Sequence, residues 1–381
     1  MSLPPSEIPL GAVRFNSDSQ KLEYWSGNAW FQIKTFSPNL DGGGRGLIGG
    51  GSDGRVNNID FITVSTAGNG QDFGDLTQSR DQMGAAASRT RGIWGGGYTP
   101  SHSDRIDYVT ISSLGDAIDF GDLVSTKQWN TAGYASNTRA VNPGGGNPSV
   151  TDNIDFATIS STGNYADFGN LVDSRMAAAG SGNQTRGLIC GGNPQTDATK
   201  TNGAEFVTIA STGNGVDFGD IATATASLGG NIQSPTRSFF FGGYTPSNVN
   251  TIEFFTTATL GNATDFGDLT TLAGDVPMGC SNSTRGLRAG GDAPADTDII
   301  DFITIATLGN ASNFGNLSTS DSSAEGSVSS STRGVFAGVG SVSNVIEYVA
   351  IATGGSTVDF GDLTVARSHG NGVSNAHGGL G

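Results

Sequence analysis

Residues 212–221 read TGNGVDFGDI, a Gly-rich turn running into Asp-Phe-Gly. The triplet or a near relative recurs around Phe73, Phe120, Phe168, Phe218, Phe266, Phe314 and Phe360, at spacings of 46–50 residues. Periods of this length mark repeated supersecondary units, so they are settled before anything else. Two further markers keep the same beat. An Arg followed by a small residue and an apolar, Gly-rich run begins at Arg45, Arg91, Arg139, Arg186, Arg237, Arg285 and Arg333. Between these markers lies an acid-aromatic-apolar segment: IDFITV, IDYVTI, IDFATI, AEFVTI, IEFFTT, IDFITI and IEYVAI.

Each unit reads as four short strands. In the fourth unit MAAAGSG (176–182) is small enough to crowd near an axis, and TRGLICGG (185–192) is an apolar run stopped by a Gly pair. AEFVTIAS (204–211) is β-branched and aromatic, and VDFGDI follows the turn TGNG. Short strands bounded by Gly, Asn, Ser and Asp are the expected β signal. The third strand lacks clean polar alternation, as a strand covered on both faces would. Four strands per unit of this length predict a propeller. The first unit starts at Arg45 on its second strand, while 367–375 aligns with RMAAAGSGN at 175–183. That offset is useful only if the last segment completes the first blade. The reading is an all-β, seven-bladed β-propeller over 45–381, preceded by a small β-meander.

The strand order resembles kelch-repeat propellers over roughly residues 41–381. Double glycines at Gly49–Gly50, Gly95–Gly96, Gly191–Gly192, Gly242–Gly243 and Gly290–Gly291 match that family's pattern. Two features depart from it: the usual fourth-strand Trp is Phe throughout, and the last unit has AGVG (337–340).

Composition narrows the function. The chain has 381 residues, a net charge of −16 and few Lys, so a polyanionic nucleic acid would be repelled. No apolar run approaches 18 residues and no secretory signal is visible, so membrane insertion is not expected. Its two cysteines, Cys190 and Cys280, imply no disulfide framework and read as buried small hydrophobes. In kinases Asp-Phe-Gly holds magnesium, but it works there with a Gly-rich loop, a strand Lys and His-Arg-Asp, all missing here. A calcium loop needs more converging oxygens than DFGDL offers, and one copy is NFGNL (Asn313, Asn316). The expectation is no metal and no cofactor, with Phe wedged between blades and Gly making a turn. The repeated Arg and the fourth-strand Asp start at one end of the blade, which predicts a ring of Arg–carboxylate pairs. Asp60, Asp107, Asp155, Glu205, Glu253, Asp301 and Glu347 belong toward the other end, where Arg80, Arg175 and Arg367 can meet some of them.

Catalytic sets are missing from the pattern. The three histidines (His102, His369, His377) have no metal-ligand spacing, and sialidase Asp-boxes do not occur. An enzyme, such as a glycan-cleaving propeller, is the weaker reading. Binding residues belong on the loops that vary from unit to unit. Tyr98, His102, Arg105, Trp129 and Tyr244 are the candidates there, suited to a sugar or a protein partner.

Residues 1–36 stand outside the repeat and read as three strands, GAVRF, KLEYW and AWFQI, with 37–44 as a tether. A meander this small needs a partner surface, and Arg14, Phe15, Tyr24, Trp25, Trp30 and Phe31 supply one. The segment resembles N-terminal modules of tailed-bacteriophage fibre and appendage proteins at Gly11, Arg14, Phe15, Asn16, Leu22, Glu23, Gly27 and Trp30. The resemblance implies a virion location, attachment to other virion proteins through residues 1–36, and a homo-oligomer, trimeric by preference. It also implies a distal domain that meets a host surface glycan or protein, or one that only decorates the particle.

Overall fold

A computed structural model describes residues 8–16, 21–32, 44–52, 54–127, 133–146, 149–194, 199–230, 232–274, 278–292, 295–321 and 326–376. The chain divides into two compact units, Met1–Leu40 and Asp41–Gly381. Every regular element among the described residues is a strand.

The small unit is one antiparallel sheet of β1 (Val13–Asn16), β2 (Lys21–Trp25) and β3 (Trp30–Gln32), in that order. Register pairs Val13 with Tyr24 and Tyr24 with Phe31, and on the other face Arg14 with Glu23. The tether read at 37–44 lies almost wholly outside the described residues.

The large unit is a β-propeller of seven antiparallel sheets among the described residues. In the first blade β4 (Arg45–Gly49), β5 (Asn58–Thr63) and β6 (Gln71–Asp75) are joined by the closing strand Asn371–Ser374, which pairs with β4. The chain therefore seals its own ring, as the offset in the repeat requires. Blades two, three, four, six and seven each carry four consecutive strands. The fifth has three, Arg237–Phe241, Val249–Thr256 and Thr264–Ala273; its innermost segment is joined by the isolated bridges Gly229–Phe241 and Gln233–Ser238 and by the Phe239 N–H bonding Ile232 O at 3.1 Å. Second strands are buried along nearly their whole length, and third strands on both faces. The core sits between blades: Phe73 and Leu76 of the first pack with Val109 and Ile111 of the second. Phe360 and Leu363 of the seventh pack with Ile62 and Val64 of the first.

The Asp-Phe-Gly triplet has a role for each member. Each Phe is buried, with its ring edge-on to the third-strand aromatic of its own blade, as Phe218 is to Phe206 at 5.6 Å. The preceding Asp caps the Gly, Asp217 Oδ1 accepting the N–H of Gly219 at 3.1 Å. That Gly forms a bulge at φ +139, and a Cβ there would collide with Gly261 O in the next blade. Only glycine permits both the dihedral and the approach. In the same contact Gly261 N–H bonds Phe218 O at 2.8 Å. Equivalent bonds join all seven neighbours, ending with Gly68 N–H to Phe360 O at 2.7 Å. Function-bearing in a kinase, the triplet here is a seam between blades.

The ring of arginines exists, but its partners are not the fourth-strand acids. Arg139 lies over Phe156 of its own blade, 4.7 Å from the ring centroid, and donates from Nη1 to Ile209 O of the next blade at 3.1 Å. Arg45, Arg91, Arg186, Arg237, Arg285 and Arg333 repeat the arrangement, and Arg333 closes it on Val64 O. Strand direction gives the right end of the blade, but the flat guanidinium finds an aromatic face and a carbonyl nearer than any carboxylate. The left-handed Gly pair also falls one residue later than expected in the first two blades, at Gly50–Gly51 and Gly96–Gly97.

Candidate functional site

The end of the propeller opposite the arginines is built on buried acids. Each third-strand acid reaches back to the crossover of the preceding blade. Asp107 accepts the N–H of Thr77 at 3.2 Å and its hydroxyl at 2.5 Å, and Glu253 accepts the N–H of Ala222 at 2.9 Å. Five of the seven also meet a cation. Arg80 pairs with Asp107 at 2.6 Å, Lys127 with Asp155 at 2.8 Å and Arg288 with Asp301 at 3.6 Å; Arg175 pairs with Glu205 and Arg367 with Asp60. Burial pushes the carboxyls of Asp60, Asp155, Glu205 and Asp301 above the usual range, against the pull of their cations. It likewise pushes Lys127 down and Arg288 down to about 10. Such pairs lock crossovers in place rather than offering free charge to a ligand. Both cysteines are free and buried, and burial raises each thiol.

On this scaffold the loops of the first two blades converge. Tyr98 is half-buried, with the Arg55 guanidinium 4.6 Å from its ring and the His102 ring at 5.0 Å. Its backbone bridges Asp81, a buried acid whose Oδ2 lies 3.6 Å from Arg55 Nε. Burial raises the Asp81 carboxyl, opposed by Arg55 and His369. His369 Nδ1 sits 2.9 Å from Ser52 Oγ, where the closing crossover meets the first blade. The cluster thus gathers an aromatic ring, a guanidinium, a carboxylate and two imidazoles from four separate segments. Aromatic and hydrogen-bonding groups together suit a polyhydroxylated or peptidic ligand. Among the described residues no group of three His, Cys, Asp or Glu is arranged to hold a metal ion.

A second concavity follows the propeller axis. A cavity of about 460 Å³ lies between the innermost segments of blades two to five, lined by Ala86, Tyr134, Ser181, Asn183, Gln184 and Gln233 among others. Another of about 230 Å³ adjoins Cys280, Ser281, Ser329 and Ser374. The linings are small or neutral and polar. The short innermost strand of the third blade, Tyr134–Ala135, and the bridged segment of the fifth border the larger cavity.

No family model matches the chain, and no curated protein matches it. Among solved structures, that of YjhT is similar with a TM-score of 0.53 at 11% identity, covering 69% of this chain and 96% of that one. In fold, the large unit is a β-propeller. At that identity the likeness concerns fold alone.

On this propeller the five loop candidates do not form one site. Tyr98 and His102 come together. Arg105 is held by the scaffold, its Nη1 3.4 Å from Thr77 Oγ1 and its carbonyl accepting from Arg80. Tyr244 stands on the fifth blade with Lys200 Nζ 4.9 Å from its ring, and blades three and four separate it from Tyr98 in chain order. Trp129 lies outside the described residues. Sequence reasoning missed Arg55 and Asp81, which no repeat marks, and the axial cavities. In the small unit Arg14 bonds Glu23 at 2.9 Å and covers Trp30 at 4.2 Å, while Trp25 is buried beside Trp30. Phe15, Tyr24 and Phe31 are exposed on the opposite face.

Proposed function

We propose that this chain is a structural protein of a tailed-bacteriophage particle, in which the small β unit attaches to other virion proteins and the propeller binds a host surface glycan or protein. The observation that carries the reading is the unequal division of the chain. A small unit resembling phage fibre modules leaves aromatic side chains uncovered, while a rigid ring gathers Tyr98, His102, Arg55 and Asp81 on non-repeating loops. Binding surfaces on rigid scaffolds are built that way. The propeller binds its receptor and does not cleave it.

Immunogold labelling of particles that encode this sequence, followed by an adsorption assay with added full-length protein, tests it. Labelled particles whose adsorption the free protein blocks support the whole reading. Label without competition leaves an architectural decoration protein. Unlabelled particles overturn the virion assignment, and release of reducing ends from host polysaccharide overturns the non-enzymatic one.

A further inference from the structure

Period-two alternation puts Val13 and Phe15 of β1, Leu22 and Tyr24 of β2, and Phe31 of β3 on one face of the small sheet. All five are exposed, by 59%, 63%, 42%, 41% and 51% respectively. The other face holds Glu23 and Trp25, both buried, with Trp30 half-buried and the exposed Arg14 laid across them. We infer that the Val13–Phe15–Leu22–Tyr24–Phe31 face is covered by the same face of a second copy of this chain.

Three observations favour a second copy as the occupant. The first is area. Five side chains of roughly 200 Å² each, about half exposed, present on the order of 500 Å² per copy. A pair would bury about 1,000 Å², which reaches the size of a specific interface, and a lone soluble unit rarely leaves such a patch uncovered. The second is charge. Residues 1–40 contain Glu7, Asp18 and Glu23 against Arg14, Lys21 and Lys34, so the whole net charge of −16 belongs to the rest of the chain. Copies that repel through their propellers meet no net repulsion here, and the five-residue face is itself uncharged. The third is folding. A unit of about 40 residues usually needs a disulfide, a metal or oligomerisation to hold together. Both cysteines lie in the propeller, at 190 and 280, and no metal-holding group occurs among the described residues. Self-association supplies the missing core. An uncharged apolar face is also self-complementary, which a two-fold contact requires.

Sedimentation velocity on the full chain at tens of micromolar tests the inference. The expected mass is two chains, and the Phe15→Ser/Phe31→Ser variant is expected at the mass of one, with the propeller's thermal transition unchanged. Tyr24→Lys, which keeps the strand pairing and puts a charge into the face, is expected to do the same. Leu260→Ser/Leu308→Ser, on exposed turns of the propeller, leaves the mass as in the wild type. A wild type that sediments as one chain overturns the inference, whether its own propeller or another protein covers the face. So does an oligomer that survives both face variants. Particles that fail to label would leave it standing, because nothing in it requires a virion.

Discussion

Asn375 Oδ1 accepts the backbone N–H of Arg45 at 2.8 Å, joining residues 330 apart in the sequence. The same bond is made six more times within single blades. Ser88, Ser136, Asn183, Ser234, Asn282 and Ser330 accept from the N–H of the repeated arginine three residues on, at 2.9–3.1 Å. The closing strand thus brings back both a missing ladder and the side chain that starts the next strand.

Removing the ladder is expected to cost far more than removing the cap. Asn375→Ala loses one hydrogen bond and leaves a half-buried N–H, worth about 1 kcal/mol. Deletion from Asn371 onward strips β4 of one neighbour and opens the ring. Calorimetry should show one slightly lowered transition for the first, and loss of the single cooperative transition for the second.

The arginine ring makes a prediction that separates it from an ion-pair ring. Arg139→Ala should cost about 1–2 kcal/mol through the lost carbonyl bond and the Phe156 contact, measured by urea unfolding. Arg139→Lys recovers less than half, because an ammonium cannot lie flat on the ring while reaching Ile209 O. Asp167→Asn should stay within about 0.5 kcal/mol of wild type, since its amide oxygen can still cap Gly169. An equal loss for Arg139→Ala and Asp167→Asn would restore the carboxylate partner.

Arg367 spans the closure from within. Its guanidinium reaches Asp60 and the carbonyls of Gly50 and Asn58, at 3.1 and 2.9 Å for the last two. Arg367→Met leaves Asp60 buried without a cation and is expected to destabilise by about 3–5 kcal/mol. Adding Asp60→Asn should return part of that loss, so the double variant unfolds at higher urea than Arg367→Met alone.

Glu253 has no cation within ion-pair distance among the described residues, and burial raises its carboxyl above 4.5. The folded state therefore prefers the protonated form. Stability from this group is complete below the unfolded value and falls as pH rises through the folded value. Glu253→Gln keeps the bond from Ala222 N–H and removes the charge. It should raise the melting temperature at pH 7 to 8, with the gain shrinking to nothing below about pH 4. A gain that persists in acid would point to packing rather than ionisation.

The repeat was legible because its residues do backbone work. Phe218 and Gly219 cannot be replaced without a void or a clash, so the pattern recurs and can be counted. Partners were harder to read. Seven residues beyond each repeat Phe stand Arg80, Lys127, Arg175, Thr225, Ala273, Asp321 and Arg367. Extending the repeat that far would have added Lys127 to the three cations expected there. Arg288 could not be found that way, since it reaches Asp301 from the second strand of its own blade. The Tyr98 cluster was half legible. A loop Tyr and His stand out in sequence, but Arg55 and Asp81 arrive from other segments, and His369 joins them only when the ring closes.

That closure also decides how the propeller bears load. The chain enters the ring at Arg45, and β4 is hydrogen-bonded on both flanks, to the closing strand and to β5. A pull transmitted from the preceding residues along β4 must shear two ladders together rather than peel one. The Asn375 cap sits at the point of application. A blade finished by its own chain's far end is an anchor as well as a seal.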